Sequence, residues 1–111
     1  MKPKKMIEDG MVAVLHSPGY GAGWSTWAHS PEIAEFMTFD RRLVLAAQRK
    51  ANVDEVDELL TDIFGPETYV GISGWDQIEI SWVEQGTIFE IAEYDGAEHI
   101  RFYNAHDYYT A

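Results

Sequence analysis

A continuous apolar run that leads directly into a glycine- and tryptophan-rich stretch is the feature that most constrains the fold of this chain. Residues 11–15 are apolar at every position, which is typical of a β-strand covered on both faces and therefore central in its sheet. Residues 17–27, called the glycine loop below, hold three of the nine glycines and two of the four tryptophans. Glycine lets a partner approach the backbone closely, and tryptophan supplies a large flat surface with one polar group. We therefore expect either a binding loop or a tightly packed corner at the end of a buried strand.

The glycine loop does not match the known phosphate-binding motifs. It lacks the Gly-Lys-Ser/Thr ending of a P-loop. It also lacks the glycine spacing of a dinucleotide-binding loop, because Gly23 comes one residue too early. The motifs therefore indicate no cofactor.

The length of 111 residues and the hydrophobic share of 46% predict one domain with its own core, spanning residues 1–111. Residues 1–10 are expected to be a flexible lead-in that ends in an Asp-Gly turn. The absence of cysteine excludes disulfides, a thiol nucleophile and cysteine-bound zinc. No apolar run reaches the ~18 residues that span a bilayer, and acids at Glu8 and Asp9 interrupt any signal-like start. We expect a cytoplasmic protein.

The middle of the chain carries the signals of two or three helices. The predicted helices cover about residues 31–37, 41–50 and 53–63, with Ser30, Asp40 and either Asn52 or Asp54 as capping residues. Apolar residues recur at helical spacing within the second and third segments. Gly65 followed by proline ends the last one. A single longer helix over residues 41–63, broken near Asn52, is the alternative.

The remainder of the chain is predicted to form strands. The expected strands cover residues 69–72, 77–84, 87–94 and 99–103. Residues 77–84 alternate, with Ile78, Ile80 and Trp82 on one face. Asp95-Gly96 is a strong hairpin signal. These patterns predict an α+β fold: one antiparallel sheet of four to five strands, with two to three helices packed on one face.

The charge is strongly negative and unevenly distributed. The chain has 19 acids and 8 bases, a net charge of −11. Residues 51–111 carry fourteen of the acids and only one base, Arg101, which is a net charge of −13. Such a field repels nucleic acids and membranes and attracts basic partners. The plain alternative is that the charge serves solubility.

Two parts of the sequence resemble small acidic proteins encoded by tailed phages and prophages. The opening resemblance is carried by residues 12–15 and 17–27, and the second by residues 82–87, 89–91 and 93–96. The central helical region adds nothing to the resemblance. It implies a phage setting and no catalytic residues. Phage accessory proteins of this size often bind and disable a host factor or sequester a small signal.

Candidate catalytic groups are sparse. His16 and His29 flank the glycine loop and could form a two-histidine metal site with an acid, although a capping or partly exposed polar role is the ordinary interpretation. Ser17 has no nucleophile-elbow motif around it, so we expect it to bond the turn's own backbone. Arg101 must lie among acids, and cross-strand pairing is its expected role. The sequence therefore indicates neither an enzyme nor a bound metal.

The function favoured by the sequence is that of a phage-type binding or inhibitory protein that engages a host protein with a basic surface, with mimicry of nucleic acid as one mode of binding. The expected binding residues are the loop and aromatic positions Tyr20, Gly21, Gly23, Trp24, Trp27 and Trp75, and the helix acids Glu55, Asp57, Glu58 and Asp62. No direct contact with nucleic acid or membrane is expected, and an exposed edge strand leaves a homodimer open. The alternative is a protein that sequesters a nucleotide or similar small molecule in the glycine loop. A phosphorylated ligand would require Arg41, Arg42 or Arg101 to line the pocket.

Overall fold

In the described part of the sequence, two strands precede the three helices and four strands follow them. The computed structural model describes residues 2–21, 23–68, 71–102 and 109–111. Within these residues the strands are β1 (Ile7–Glu8), β2 (Met11–His16), β3 (Glu79–Glu84), β4 (Ile88–Tyr94), β5 (Ala97–Phe102) and β6 (Tyr109–Thr110). The helices are α1 (Pro31–Phe39), α2 (Arg41–Gln48) and α3 (Val53–Phe64). Two single 3₁₀ turns cover Ser25–Trp27 and Trp75–Gln77.

The strands form two antiparallel sheets, with the orders β1-β2-β3 and β5-β4-β6. The α+β class predicted from the sequence is confirmed, but the prediction of a single sheet is wrong. β3 pairs along its whole length with β2, and the chain then turns at Gly86, whose φ is +91°. The amide of Gly86 donates to the carbonyl oxygen of Ala111 at 2.6 Å. After this turn, β4 therefore enters the second sheet and does not pair with β3.

β2 is the central strand of the first sheet, as its apolar sequence predicts, and its two faces serve two different cores. Ala13 and Leu15 face a core built mainly from the three helices. Val12 and Val14 face a second core that includes Phe89 of β4. All four side chains are fully buried. The first sheet is thus covered by helices on one face and by the second sheet on the other.

The helix boundaries follow the capping residues. The side chain of Ser30 accepts a hydrogen bond from the amide of Ile33 at the start of α1, and Asp40 accepts from Arg42 at the start of α2. Asn52 caps α3, so α2 and α3 are separate helices. Among the described residues, none of the helices is long and apolar enough to cross a membrane.

Residues 2–10 are part of the fold, in contrast to the flexible lead-in that was expected for residues 1–10. Asp9 and Gly10 both have positive φ, 51° and 76°, which is the geometry of a tight two-residue hairpin turn. The turn pairs β1 with β2. Met6 is buried in the helical core, and Lys5 forms a β-bridge with Asp40. Burial of the apolar Met6 side chain, which precedes the Asp-Gly turn, stabilises this segment against the core.

Three other predictions fall partly on residues that lie outside the described ranges. In the expected strand at 69–72, residues 69 and 70 lie outside them, and Gly71 and Ile72 belong to no strand. Residue 103 of the expected last strand, and residues 104–108 of the tail, also lie outside them. The end of the tail is docked: β6 pairs with β4, and Ala111 is buried.

Candidate functional site

A buried carboxylate organises the glycine loop. Glu98 on β5 is only 2% exposed. Its Oε1 accepts a hydrogen bond from the amide of Ser17 at 2.9 Å. Its Oε2 accepts from the amides of Trp24 at 2.8 Å and Thr26 at 3.0 Å, and from the Thr26 hydroxyl at 2.5 Å. The loop therefore wraps around the side chain of a residue more than seventy positions later in the chain.

The negative charge of Glu98 is balanced by hydrogen-bond donors. Glu98 takes part in none of the ion pairs formed between described residues. Hydrogen bonds to an ionised acceptor are roughly twice as strong as neutral ones, and four of them converge here. The amide of Glu98 also donates to the carbonyl oxygen of Ser17 at 2.8 Å. This arrangement holds both ends of the loop in one conformation, and it leaves these three amides no capacity for an anionic ligand.

Two tryptophans expected to form a surface site are instead in the core. Trp24 is 1% exposed and Trp75 is 5% exposed, and their rings pack with centroids 5.6 Å apart. The indole nitrogen of Trp24 donates to the carbonyl oxygen of Met37 at 2.6 Å, and that of Trp75 to Ala51 at 2.7 Å. Because both rings and both polar groups are satisfied internally, neither side chain can contact a partner or stack on a ligand.

Gly23 and Gly74 show how closely this corner is packed. A Cβ atom at Gly74 would lie 2.6 Å from the carbonyl oxygen of Gly23 and 3.1 Å from the Cβ of Ser17. The inner half of the glycine loop is therefore the packed corner that was one of the two expectations. Gly23 serves packing there and is not a surface contact.

The tip of the glycine loop is exposed and lies against the β4–β5 turn. The amide of Gly21 donates to the carbonyl oxygen of Asp95 at 2.5 Å. The tyrosines that precede these two residues, Tyr20 and Tyr94, are 72% and 75% exposed. We call Tyr20, Gly21, Tyr94 and Asp95 the tyrosine edge. Trp27, farther along the loop, is 47% exposed.

The predicted acidic positions all lie on the solvent side of α3. Val56 and Leu60 are the buried residues of this helix. The exposed acids are Asp54, Glu55, Asp57, Glu58 and Asp62, which we call the acidic face. Among described residues, Glu55 is the one member that forms an ion pair, with Arg49 at 3.2 Å. The acidic face therefore carries a largely uncompensated negative charge.

The structure does not bring His16 and His29 together as a metal site. His16 is buried at the end of β2, where its Nε2 lies 2.7 Å from the Ser81 hydroxyl. His29 lies in an open cleft of about 470 Å³ between the glycine loop, the start of α1 and the second sheet. Within the described ranges, no three His, Cys, Asp or Glu side chains are grouped so that they could hold a metal ion.

Burial lowers the pKa of His16, and this outweighs the opposing attraction of Glu79 and Glu98. The Nδ1 atom is buried without a hydrogen-bond partner among the described residues. In the unfolded chain the pKa returns to about 6.5. Between the two values the unfolded chain binds more protons, so stability must fall as the pH drops below about 6.5.

We expect this acid sensitivity to be reduced in His16→Gln. The measurement is the thermal midpoint at pH 7.5 and pH 5.5 for the native protein, His16→Gln and the exposed control His29→Gln. Between pH 7.5 and pH 5.5, the thermal midpoint of the native protein and of the control should fall by more degrees than that of His16→Gln. An equal loss in all three proteins would show that His16 is not the responsible group.

Glu98 is the central residue that sequence reasoning missed. The available signal was its position in the strand. Glu98 and Ile100 are two residues apart and therefore lie on the same face of β5, which places a carboxylate on an apolar face. Arg101 was predicted correctly, because it pairs across the strands with Glu90. Glu79 lies opposite His16 in the other sheet.

Comparisons with known proteins give no match: no family model, no curated protein and no solved structure matches this chain. A functional assignment therefore rests on the geometry of its own residues. That geometry offers a loop fixed by a buried carboxylate, an exposed tyrosine edge and an acidic helix face.

Proposed function

We propose that this chain is a small acidic binding protein that engages a partner protein with a basic surface, and that the tyrosine edge makes the central contact. One observation carries the proposal. Two tyrosines more than 70% exposed lie on neighbouring segments, Tyr20 in the glycine loop and Tyr94 at the end of β4. The Glu98 carboxylate and the Gly21–Asp95 hydrogen bond hold these two segments in place.

Rigid, exposed tyrosines are suited to recognition. A tyrosine supplies a large contact area with few rotatable bonds, so little conformational entropy is lost when it is buried. Aromatic residues dominate the binding energy of protein interfaces. Because hydrogen bonds to Glu98 and Asp95 already fix the described part of the loop backbone, binding does not have to supply the free energy of ordering it. The tyrosine edge therefore has the properties of a preformed contact surface.

The charge selects the class of partner. Asp95 lies within the tyrosine edge, and Glu93 lies beside it with its Oε2 accepting a hydrogen bond from the Gly96 amide. The acidic face of α3 adds further negative charge, and the whole chain carries −11. Such a field speeds association with basic proteins and opposes association with nucleic acids. The resemblance to phage proteins supports a host protein as the partner, inhibited at a surface that otherwise binds nucleic acid.

The proposal is tested by capturing partners from bacterial lysate with three matched baits. The baits are the native protein, the double variant Tyr20→Ser/Tyr94→Ser, and the control Ile7→Ser/Leu45→Ser, which alters two apolar side chains of 46% exposure each. We expect the native protein and the control to capture the same basic protein. The tyrosine variant should bind it at least tenfold more weakly, since a single interface hot spot contributes about 2 kcal/mol.

A second comparison tests the charge. Neutralising Asp54, Asp57, Glu58 and Asp62 as asparagine or glutamine should weaken the dependence of binding on salt concentration. An acidic captured protein would contradict the proposal. Equal capture by all three baits, or the absence of any salt dependence, would contradict it as well.

A further inference from the structure

A second cleft gathers positive charge in a strongly acidic protein. This cleft, of about 390 Å³, lies where the N-terminal segment passes the corner between α1 and α2. Its lining residues are Lys2, Lys4, Phe36, Asp40, Arg41 and Arg42. Four of the eight lysines and arginines of the chain therefore line one cleft. We call it the basic cleft.

Two of the four cations are already paired and two are not. Arg42 donates to both carboxylate oxygens of Asp40, and Lys2 pairs with Glu35 at 3.2 Å. The side chains of Lys4 and Arg41 are exposed. Neither forms a hydrogen bond or an ion pair with any side chain in the described part of the protein. Their charges remain available to a ligand.

The positions of Lys4 and Arg41 are not explained by ion pairs among the described residues. Arg41 and Arg42 are the first two residues of α2, the end of a helix where the dipole disfavours positive charge. The Arg41 amide donates to the carbonyl oxygen of Lys4 at 2.8 Å, and this contact brings the N-terminal segment against the helix. The fold thus places two unpaired cations, Lys4 and Arg41, beside the ion pairs of Lys2 and Arg42. Local rules of this kind are broken most often at functional sites.

Recognition in the basic cleft must come from side chains. The Arg41 amide is used by Lys4, and the Arg42 amide donates to Asp40 at 3.1 Å. The Lys4 ammonium is a point charge, and the Arg41 guanidinium is a planar donor with several N–H groups. Together these two groups suit the oxygens of a phosphate.

We infer that the basic cleft binds a compact anion with at least two negative charges, of the phosphate-ester or pyrophosphate type. The volume is that of a small-molecule site. A long polyanion such as a nucleic acid would have to extend over a protein whose residues 51–111 alone carry −13, whereas a compact anion stays within the cleft. This inference is independent of the tyrosine edge and of the partner proposed for it.

The test uses inorganic pyrophosphate as the probe and isothermal titration calorimetry at low ionic strength. Three proteins are compared: the native chain, Lys4→Gln/Arg41→Gln, and the control Arg49→Gln/Lys50→Gln. Both double variants remove two exposed positive charges, so their net charges are identical. All four substituted side chains lie on the surface, and thermal melts will verify that the variants fold.

The native protein and the Arg49→Gln/Lys50→Gln control should bind pyrophosphate with affinities within about threefold of each other. Lys4→Gln/Arg41→Gln should bind at least tenfold more weakly. No binding to the native protein, or an equal loss in both double variants, would overturn the inference. Binding of a single-stranded oligonucleotide more tightly than pyrophosphate would overturn it in favour of a macromolecular polyanion.

Discussion

Replacing Glu98 with alanine is expected to lower the free energy of unfolding by about 4 kcal/mol. The substitution leaves four hydrogen-bond donors of the glycine loop facing a cavity in place of a carboxylate. A buried donor without a partner costs roughly 1 to 3 kcal/mol, and part of that cost is recovered where water enters. Urea denaturation followed by circular dichroism measures the change.

Two further variants make this result specific. Glu98→Gln keeps the shape and one carbonyl oxygen, so it should cost only about 2 kcal/mol, because three charge-assisted hydrogen bonds become neutral ones and one donor loses its acceptor. Glu84→Ala removes an exposed glutamate at the end of β3 and should change stability by less than about 0.5 kcal/mol. If Glu98→Ala resembled Glu84→Ala, the carboxylate would not be holding the loop.

Trp24→Ala is expected to destabilise the protein by about 4 kcal/mol, a large part of the stability of an ordinary domain. The side chain is 1% exposed, packs against Trp75 and satisfies the carbonyl oxygen of Met37. Its removal leaves a cavity and an unpaired acceptor. Thermal and urea unfolding, both followed by circular dichroism, measure the loss.

Trp27→Ala is the matched control, since it makes the same substitution three positions away. Trp27 is 47% exposed, so its loss should cost less than about 1.5 kcal/mol. The two variants also separate core packing from recognition, because only Trp27 could touch a partner. Similar destabilisation by both would contradict the assignment of Trp24 to the core.

Local signals predicted the elements of this fold well. Ser30 and Asp40 cap the helices that the sequence assigned to them, and the apolar run before the glycine loop is the central strand of its sheet. The Asp95-Gly96 turn joins β4 and β5. These features depend on neighbours in the sequence, so their physical causes are visible in it.

Long-range partners were not predictable in the same way. The aromatic character of Trp24 and Trp75 is equally suited to a surface or a core, and only the packing of the two rings decides between them. The position of Glu98 on an apolar strand face marks it as unusual, but the neighbouring sequence does not indicate which backbone amides, more than seventy residues earlier, donate hydrogen bonds to it. The prediction of a single sheet was wrong for the same reason. β3 pairs with β2, and the three helices separate these two strands in the sequence.

The late position of Glu98 has a consequence for how the protein forms. The groups that donate hydrogen bonds to Glu98 belong to residues 72 to 81 positions earlier. β2 likewise pairs with β3, which comes much later in the chain. During synthesis the ribosome must therefore release the chain at least as far as Glu98 before the glycine loop can close. Contacts of such sequence separation slow folding. A truncated chain that stops before β5 would contain every residue of the loop and yet lack the group around which the loop is arranged.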